Sequence, residues 1–166
     1  MSQRLCVMGV SGAGKTLVGT LLAGALGVAF LEGDDLHPAD NVRRMAQGIP
    51  LTDDDRRGWL AAIAARLAEA RRTDTGLVVA CSALKRAYRD VLRRADPDIR
   101  FVYLTGEPAL IARRLSQRVG HYMPATLLDS QLATLEPPTS EEHAWTFDLA
   151  DSPESIVEEI VVRLSA

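Results

Sequence analysis

Gly9-Val10-Ser11-Gly12-Ala13-Gly14-Lys15-Thr16 satisfies the pattern Gly-x-x-x-x-Gly-Lys-Ser/Thr in full. Between a strand and a helix, such a run curls so that its backbone N–H groups converge on phosphate oxygens, and the helix N-terminus adds partial positive charge. Gly12, Ala13, Gly14, Lys15, Thr16 and Leu17 form the expected nucleotide-binding set. Lys15 is expected to reach the β- and γ-phosphates, and the Thr16 hydroxyl to help hold Mg²⁺. A nucleoside triphosphate is the expected ligand. Guanine-specific switches carry Asn-Lys-x-Asp, but the single asparagine here, Asn41, is followed by Val42. No apolar run leads into an obvious Walker B aspartate: one meets Ser82 and another Thr105-Gly106. A small phosphotransferase fits these features better than a switch or a motor.

The stretch GDDLHPADN, residues 33–41, puts acids beside a site for anions. Phosphoryl transfer supplies a reason, because a carboxylate can orient an acceptor hydroxyl and take its proton. Asp34, nearest the end of the preceding apolar run, is the expected catalytic carboxylate. Asp35 and Asp40 are assigned to the surface or to a cap for a helix beginning near Pro38. His37 has two readings, a hydrogen bond to a polyhydroxylated substrate or a structural role in the turn.

Of nineteen basic residues only two are lysines, Lys15 and Lys85. In so arginine-biased a chain, a lysine can mark a place that needs a compact ammonium rather than a planar fork. Lys85, in Cys81-Ser82-Ala83-Leu84-Lys85, then faces the acceptor or the transferred group, unless it is simply solvated. In LTDDDRRGWL, Arg56 is expected to turn back and bind a substrate carboxylate, against the plainer reading of surface pairs with the preceding aspartates. Arg114 and Arg118 stand four apart on one helical face and are expected to close over the triphosphate. Arg118 would act catalytically in this way, and His121 would be a further contact of the same lid, residues 114–136.

These groups need elements to hold them. Short apolar runs at residues 5–8, 28–31, 77–81 and 101–104 predict strands buried on both faces, and Trp145-Thr146-Phe147-Asp148 is a weaker fifth. A helix is expected from Thr52 as N-cap, with Trp59, Leu60, Ile63 and Leu67 as its apolar stripe. Another begins at Ser152-Pro153 and buries Ile156, Val157, Ile160, Val161 and Leu164. Alternating strands and helices imply an α/β parallel sheet covered on both faces, with ligands beyond the carboxyl ends of the strands. The chain, residues 1–166, is expected to form one kinase domain.

The balance of 19 basic against 22 acidic residues leaves a net charge of −3, which gives no bulk attraction for nucleic acid or an anionic membrane. Cys6 and Cys81 lie in apolar runs and are expected to be reduced and buried. The opening Met1-Ser2-Gln3-Arg4 is unlike a secretory signal, and no apolar run is long enough to span a bilayer. The cytoplasm is the expected setting.

The segments GVSGAGKT, GDDLHPADN, GIPLTDDDRRGWL, CSALKRAYRDVLR and GHYMPATLLDSQLATLEP resemble, in order and spacing, those of the gluconate kinase (gluconokinase) family. The first is shared by many nucleotide-binding enzymes; the GD-x-LHP-x-x-N and PL-x-D-x-DR blocks are far more specific. The resemblance implies a P-loop, nucleoside-monophosphate-kinase-like three-layer fold with a five-stranded parallel sheet and a helical lid. It implies transfer of the ATP γ-phosphoryl group to the C6 hydroxyl of D-gluconate, with Mg²⁺, and often a homodimer. By position it implies substrate contacts at Asp34, His37, Arg56, Ser82, Lys85 and His121, and ATP contacts at Arg114 and Arg118. Gly58, Tyr122 and Leu132 depart from the family's common residues without removing a charged group. The competing readings are a kinase of the same fold for another small acceptor, such as shikimate, and an ATP-binding regulatory module without turnover.

Overall fold

A computed structural model describes residues 2–117 and 125–166. The strands are β1 (Arg4–Met8), β2 (Ala29–Glu32), β3 (Leu77–Ala80), β4 (Arg100–Thr105) and β5 (Trp145–Asp148). They form one parallel sheet in the order β2-β3-β1-β4-β5. The helices are α1 (Lys15–Leu26), α2 (Ala39–Ala46), α3 (Asp53–Arg72), α4 (Arg86–Ala95), α5 (Pro108–Ser116), α6 (Ala125–Thr134) and α7 (Pro153–Ser165). The chain moves outward from β1 to β2 and then returns to β3. Right-handed crossovers therefore put α1 on one face and α3 on the other. In keeping with this, α1 packs against α7 and α3 packs against α4.

Local signals and the observed elements agree closely. Thr52 caps α3: its hydroxyl accepts from Asp55 N–H at 3.1 Å, and the Asp55 carboxylate accepts from Thr52 N–H at 2.9 Å. Trp59, Leu60, Ile63 and Leu67 are all buried, as their spacing requires. Ser152 caps α7, which buries Ile156, Val157 and Ile160. Both cysteines are free and buried. One expectation is corrected: the second apolar run is not buried on both faces. β2 is an edge strand with Leu31 as its one buried residue. Among the described residues no helix is long and apolar enough to cross a membrane.

At the carboxyl end of β2 the backbone runs hard against β3. A Cβ on Gly33 would come within 2.4 Å of the Ala80 carbonyl oxygen, so only glycine fits there. The Gly33 carbonyl in turn accepts from Trp59 Nε1 at 2.8 Å, tying the turn Gly33–Leu36 to α3. Asp34 leaves this anchored point toward the rim above β1 and β3.

Candidate active site

The loop after β1 ends at Gly14, whose φ of 95° is left-handed and whose missing side chain leaves open space at the start of α1. Lys15 follows, with its Nζ donating to the Val10 carbonyl at 3.0 Å. A cavity of about 590 Å³ opens here, a size that suits a small-molecule ligand. All six residues of the expected nucleotide set line it, as does Arg114 from α5. It is also lined by Leu149 and Asp151, between β5 and α7, and by Pro153 and Ile156, from the first turn of α7. Nothing in their residue types marks them in the sequence, since they are ordinary loop and helix-start residues.

Glu32 is a residue of the site that belongs to no motif in the sequence. It ends β2, and its carboxylate accepts a hydrogen bond from the Thr16 hydroxyl while also taking Asp34 N–H at 3.3 Å. The signal available was its place: an acid at the end of a strand, two residues before Asp34. A hydroxyl and a carboxylate side by side are hard oxygen donors, the set that Mg²⁺ prefers.

A second cavity, of about 180 Å³, lies beside the first. Ser11, Lys15 and Asp34 line both. His37, Arg56 and Ser82 also line the smaller one, with Trp59, Leu84, Leu127 and Gln131 among its walls. Arg56 is 9% exposed, donates to the Tyr88 hydroxyl at 2.8 Å and lies over the same ring at 5.4 Å. Its neighbour Arg57 is exposed and pairs with Asp54 at 3.1 Å. Lys85 lies outside the lining of either cavity. Its Nζ pairs with Asp53 at 3.0 Å, and the Tyr88 hydroxyl donates to the same carboxylate. Hydrogen bonds from Tyr88 and then from Lys85 hold the Asp53 carboxyl below its usual range, and Asp53 raises Lys85.

The segment carrying Ser82 is strained and braced. Ala83 has a φ of 45°, uncommon for a residue with a side chain. The fully buried Arg89 donates to the Ala83 and Leu84 carbonyls at 2.8 and 3.3 Å. The same guanidinium pairs with Glu142 at 2.7 Å, and Arg93 joins at 2.5 Å. Burial alone would raise the Glu142 carboxyl. Bonds from Arg89, Arg93 and the Thr139 N–H outweigh it and bring the group down to about 2.

Gln131 is a further residue of the site that no motif marks in the sequence. From α6 its Oε1 accepts Ser11 N–H at 2.7 Å and its Nε2 donates to Ser11 Oγ at 3.2 Å. Arg118 and His121 lie outside the described residues, together with the middle of the expected lid.

The family model described as AAA domain matches residues 5–138. A gluconokinase of Gluconobacter oxydans (strain 621H) is 48% identical over 162 residues, spanning 98% of this chain and 91% of the relative. The crystal structure of a gluconokinase from Sinorhizobium meliloti 1021 superposes with a TM-score of 0.88 at 49% identity, covering 98% of this chain and 91% of that one. A shikimate kinase from Bacteroides thetaiotaomicron superposes at 0.69 with 18% identity, covering 99% of each chain, a likeness of fold alone. The chain belongs to the gluconokinase family and to the family described as AAA domain.

Proposed function

We propose that this protein is a gluconokinase that transfers the γ-phosphoryl group of ATP to the C6 hydroxyl of D-gluconate, giving 6-phospho-D-gluconate and ADP. The observation that carries the reading is the place of Asp34, on the wall shared by the nucleotide cavity and the smaller cavity with Arg56. A polyol acid seated in the smaller cavity would put its carboxylate against the buried Arg56 and a terminal hydroxyl against Asp34. Ser82 would add a hydroxyl contact, whereas Lys85, paired with Asp53 and outside both cavities, would leave the carboxylate to Arg56.

In the transfer, Asp34 takes the proton of the acceptor hydroxyl as its oxygen bonds to the γ-phosphorus. The bond from that phosphorus to the β-phosphate oxygen breaks, and ADP leaves. Lys15 and Arg114 offset the charge spread over the transferred group, Arg118 would complete this from the lid, and His121 would be a substrate contact of the same lid. Thr16 and Glu32 would hold Mg²⁺, which when bound neutralises charge on the β- and γ-phosphates. Homodimerisation in the cytoplasm is part of the same proposal, and light scattering on the purified chain tests the dimer.

A coupled assay of ADP release across gluconate, shikimate and nucleoside monophosphates tests the acceptor. Turnover with gluconate at a kcat/KM far above the others is expected. Silence with gluconate would overturn the reading.

A further inference from the structure

We propose that Asn41 is a positioning residue that fixes His37 as its Nε2–H tautomer, so that the attacking hydroxyl is held between His37 and Asp34. The placement of that hydroxyl rests on the gluconokinase reading; the tautomer does not. Asn41 is 3% exposed on α2. Its Nδ2 lies 2.8 Å from the Asp55 backbone carbonyl and 3.3 Å from His37 Nδ1. A carbonyl oxygen can only accept, so the amide must present its nitrogen to Asp55. The second hydrogen of the same nitrogen then points at Nδ1, which must accept with its lone pair. The neutral ring is left with its proton on Nε2.

The ring has little freedom to escape this arrangement. Its side chain is 4% exposed and stacks on Trp59 at 4.2 Å between centroids, 14° from parallel. Trp59 is itself pinned by its bond to Gly33. The charged groups near the ring are Asp34, Arg56 and, across the cavity, Lys15; the Asp55 carboxylate is turned away to Thr52 and Arg44. Burial and then Arg56 disfavour the imidazolium, and Asp34 opposes them, with a net lowering of the His37 pKa.

His37 Nε2 lies 4.0 Å from Asp34 Oδ1. That is too far for a direct hydrogen bond, but one hydroxyl oxygen about 2.8 Å from each atom spans the gap. Such a hydroxyl accepts from Nε2–H and donates to the carboxylate. Its second lone pair stays available for phosphorus. With the other tautomer both Nε2 and the carboxylate could only accept, and the hydroxyl's single hydrogen could serve one of them but not bridge the two.

The tautomer is read directly by long-range ¹H–¹⁵N imidazole spectra, because the chain has only three histidines, His37, His121 and His143. His37→Gln assigns the resonance. The wild-type ring should be Nε2–H near neutral pH, and Asn41→Ala should turn it into a mixture. The gluconate kcat of Asn41→Ala should fall on the order of tenfold with the KM for ATP unchanged. His37→Leu should lose more, and His37→Gln, which keeps a donor, should recover part of it. An Nδ1–H ring in the wild type, or equal rates for His37→Gln and His37→Leu, would overturn the proposal. No turnover with gluconate by the wild-type chain would remove the functional reading, while the ring spectrum still decides the assignment.

Discussion

Gln131 holds Ser11 at two points, with Ser11 N–H donating to Oε1 at 2.7 Å and Nε2 donating to Ser11 Oγ at 3.2 Å. These residues stand 120 positions apart, yet both line the smaller cavity, and Ser11 belongs to the phosphate loop as well. The pair ties α6 to the loop that must stay curled around phosphate. Gln131→Leu removes both bonds and leaves a part-buried N–H unmatched. Such a loss is worth about 1 kcal/mol, so KM for ATP and for gluconate should each rise about fivefold. Steady-state kinetics with each substrate varied in turn checks this; an unchanged ATP KM would show that the clamp does not shape the loop.

Asp34→Asn keeps the shape of the side chain and removes its basicity. The kcat with gluconate should fall by about 10²- to 10⁴-fold, the usual range for loss of a general base. Binding of a non-hydrolysable ATP analogue, measured by calorimetry, should be little altered, because Asp34 only edges the nucleotide cavity.

Arg56 is buried with a hydroxyl as partner, and that hydroxyl also reaches Asp53. Tyr88→Phe should loosen the guanidinium and raise the gluconate KM about fivefold, again on the order of 1 kcal/mol. Arg56→Lys gives up the planar fork and should cost about ten- to a hundredfold in the same constant. In both variants kcat should change less than KM, since on the proposed reading the substrate carboxylate would lie away from the reacting phosphorus.

Glu142 has its carboxyl lowered from 4.5 to about 2 in the folded chain. A lowered folded value means that the stabilisation is complete above the unfolded value and is lost as pH falls from about 4.5 toward 2. The effect is on the order of 3 kcal/mol at neutral pH. Urea unfolding should find Glu142→Gln less stable than the parent by roughly that amount at pH 7, because Arg89 loses its charged partner. The gap should close as the parent's own carboxyl takes up a proton near pH 2.

What could be seen in the sequence was local. The phosphate loop, the cap at Thr52, the cap at Ser152 and the stripe on α3 depend on residues within a turn or two of each other, so their spacing carries the geometry. Asp34 could be singled out by its place at a strand end across from the phosphate loop, and Arg56 as a cation in the first turn of α3 able to turn back toward the same rim; both line the smaller cavity. The rest was decided by sheet order. Placing β2 beside β3, at the edge, exposed one strand and brought Glu32 to Thr16. Packing α3 on α4 gave Lys85 to Asp53 rather than to the cavity, and it set Tyr88 against Arg56. Folding α6 back over the first loop joined Gln131 to Ser11, and docking α2 on α3 joined Asn41 to Asp55. Hydrogen bonds reach only about 3 Å. Which distant groups come within that reach is a property of the packed chain, and no spacing along the sequence contains it.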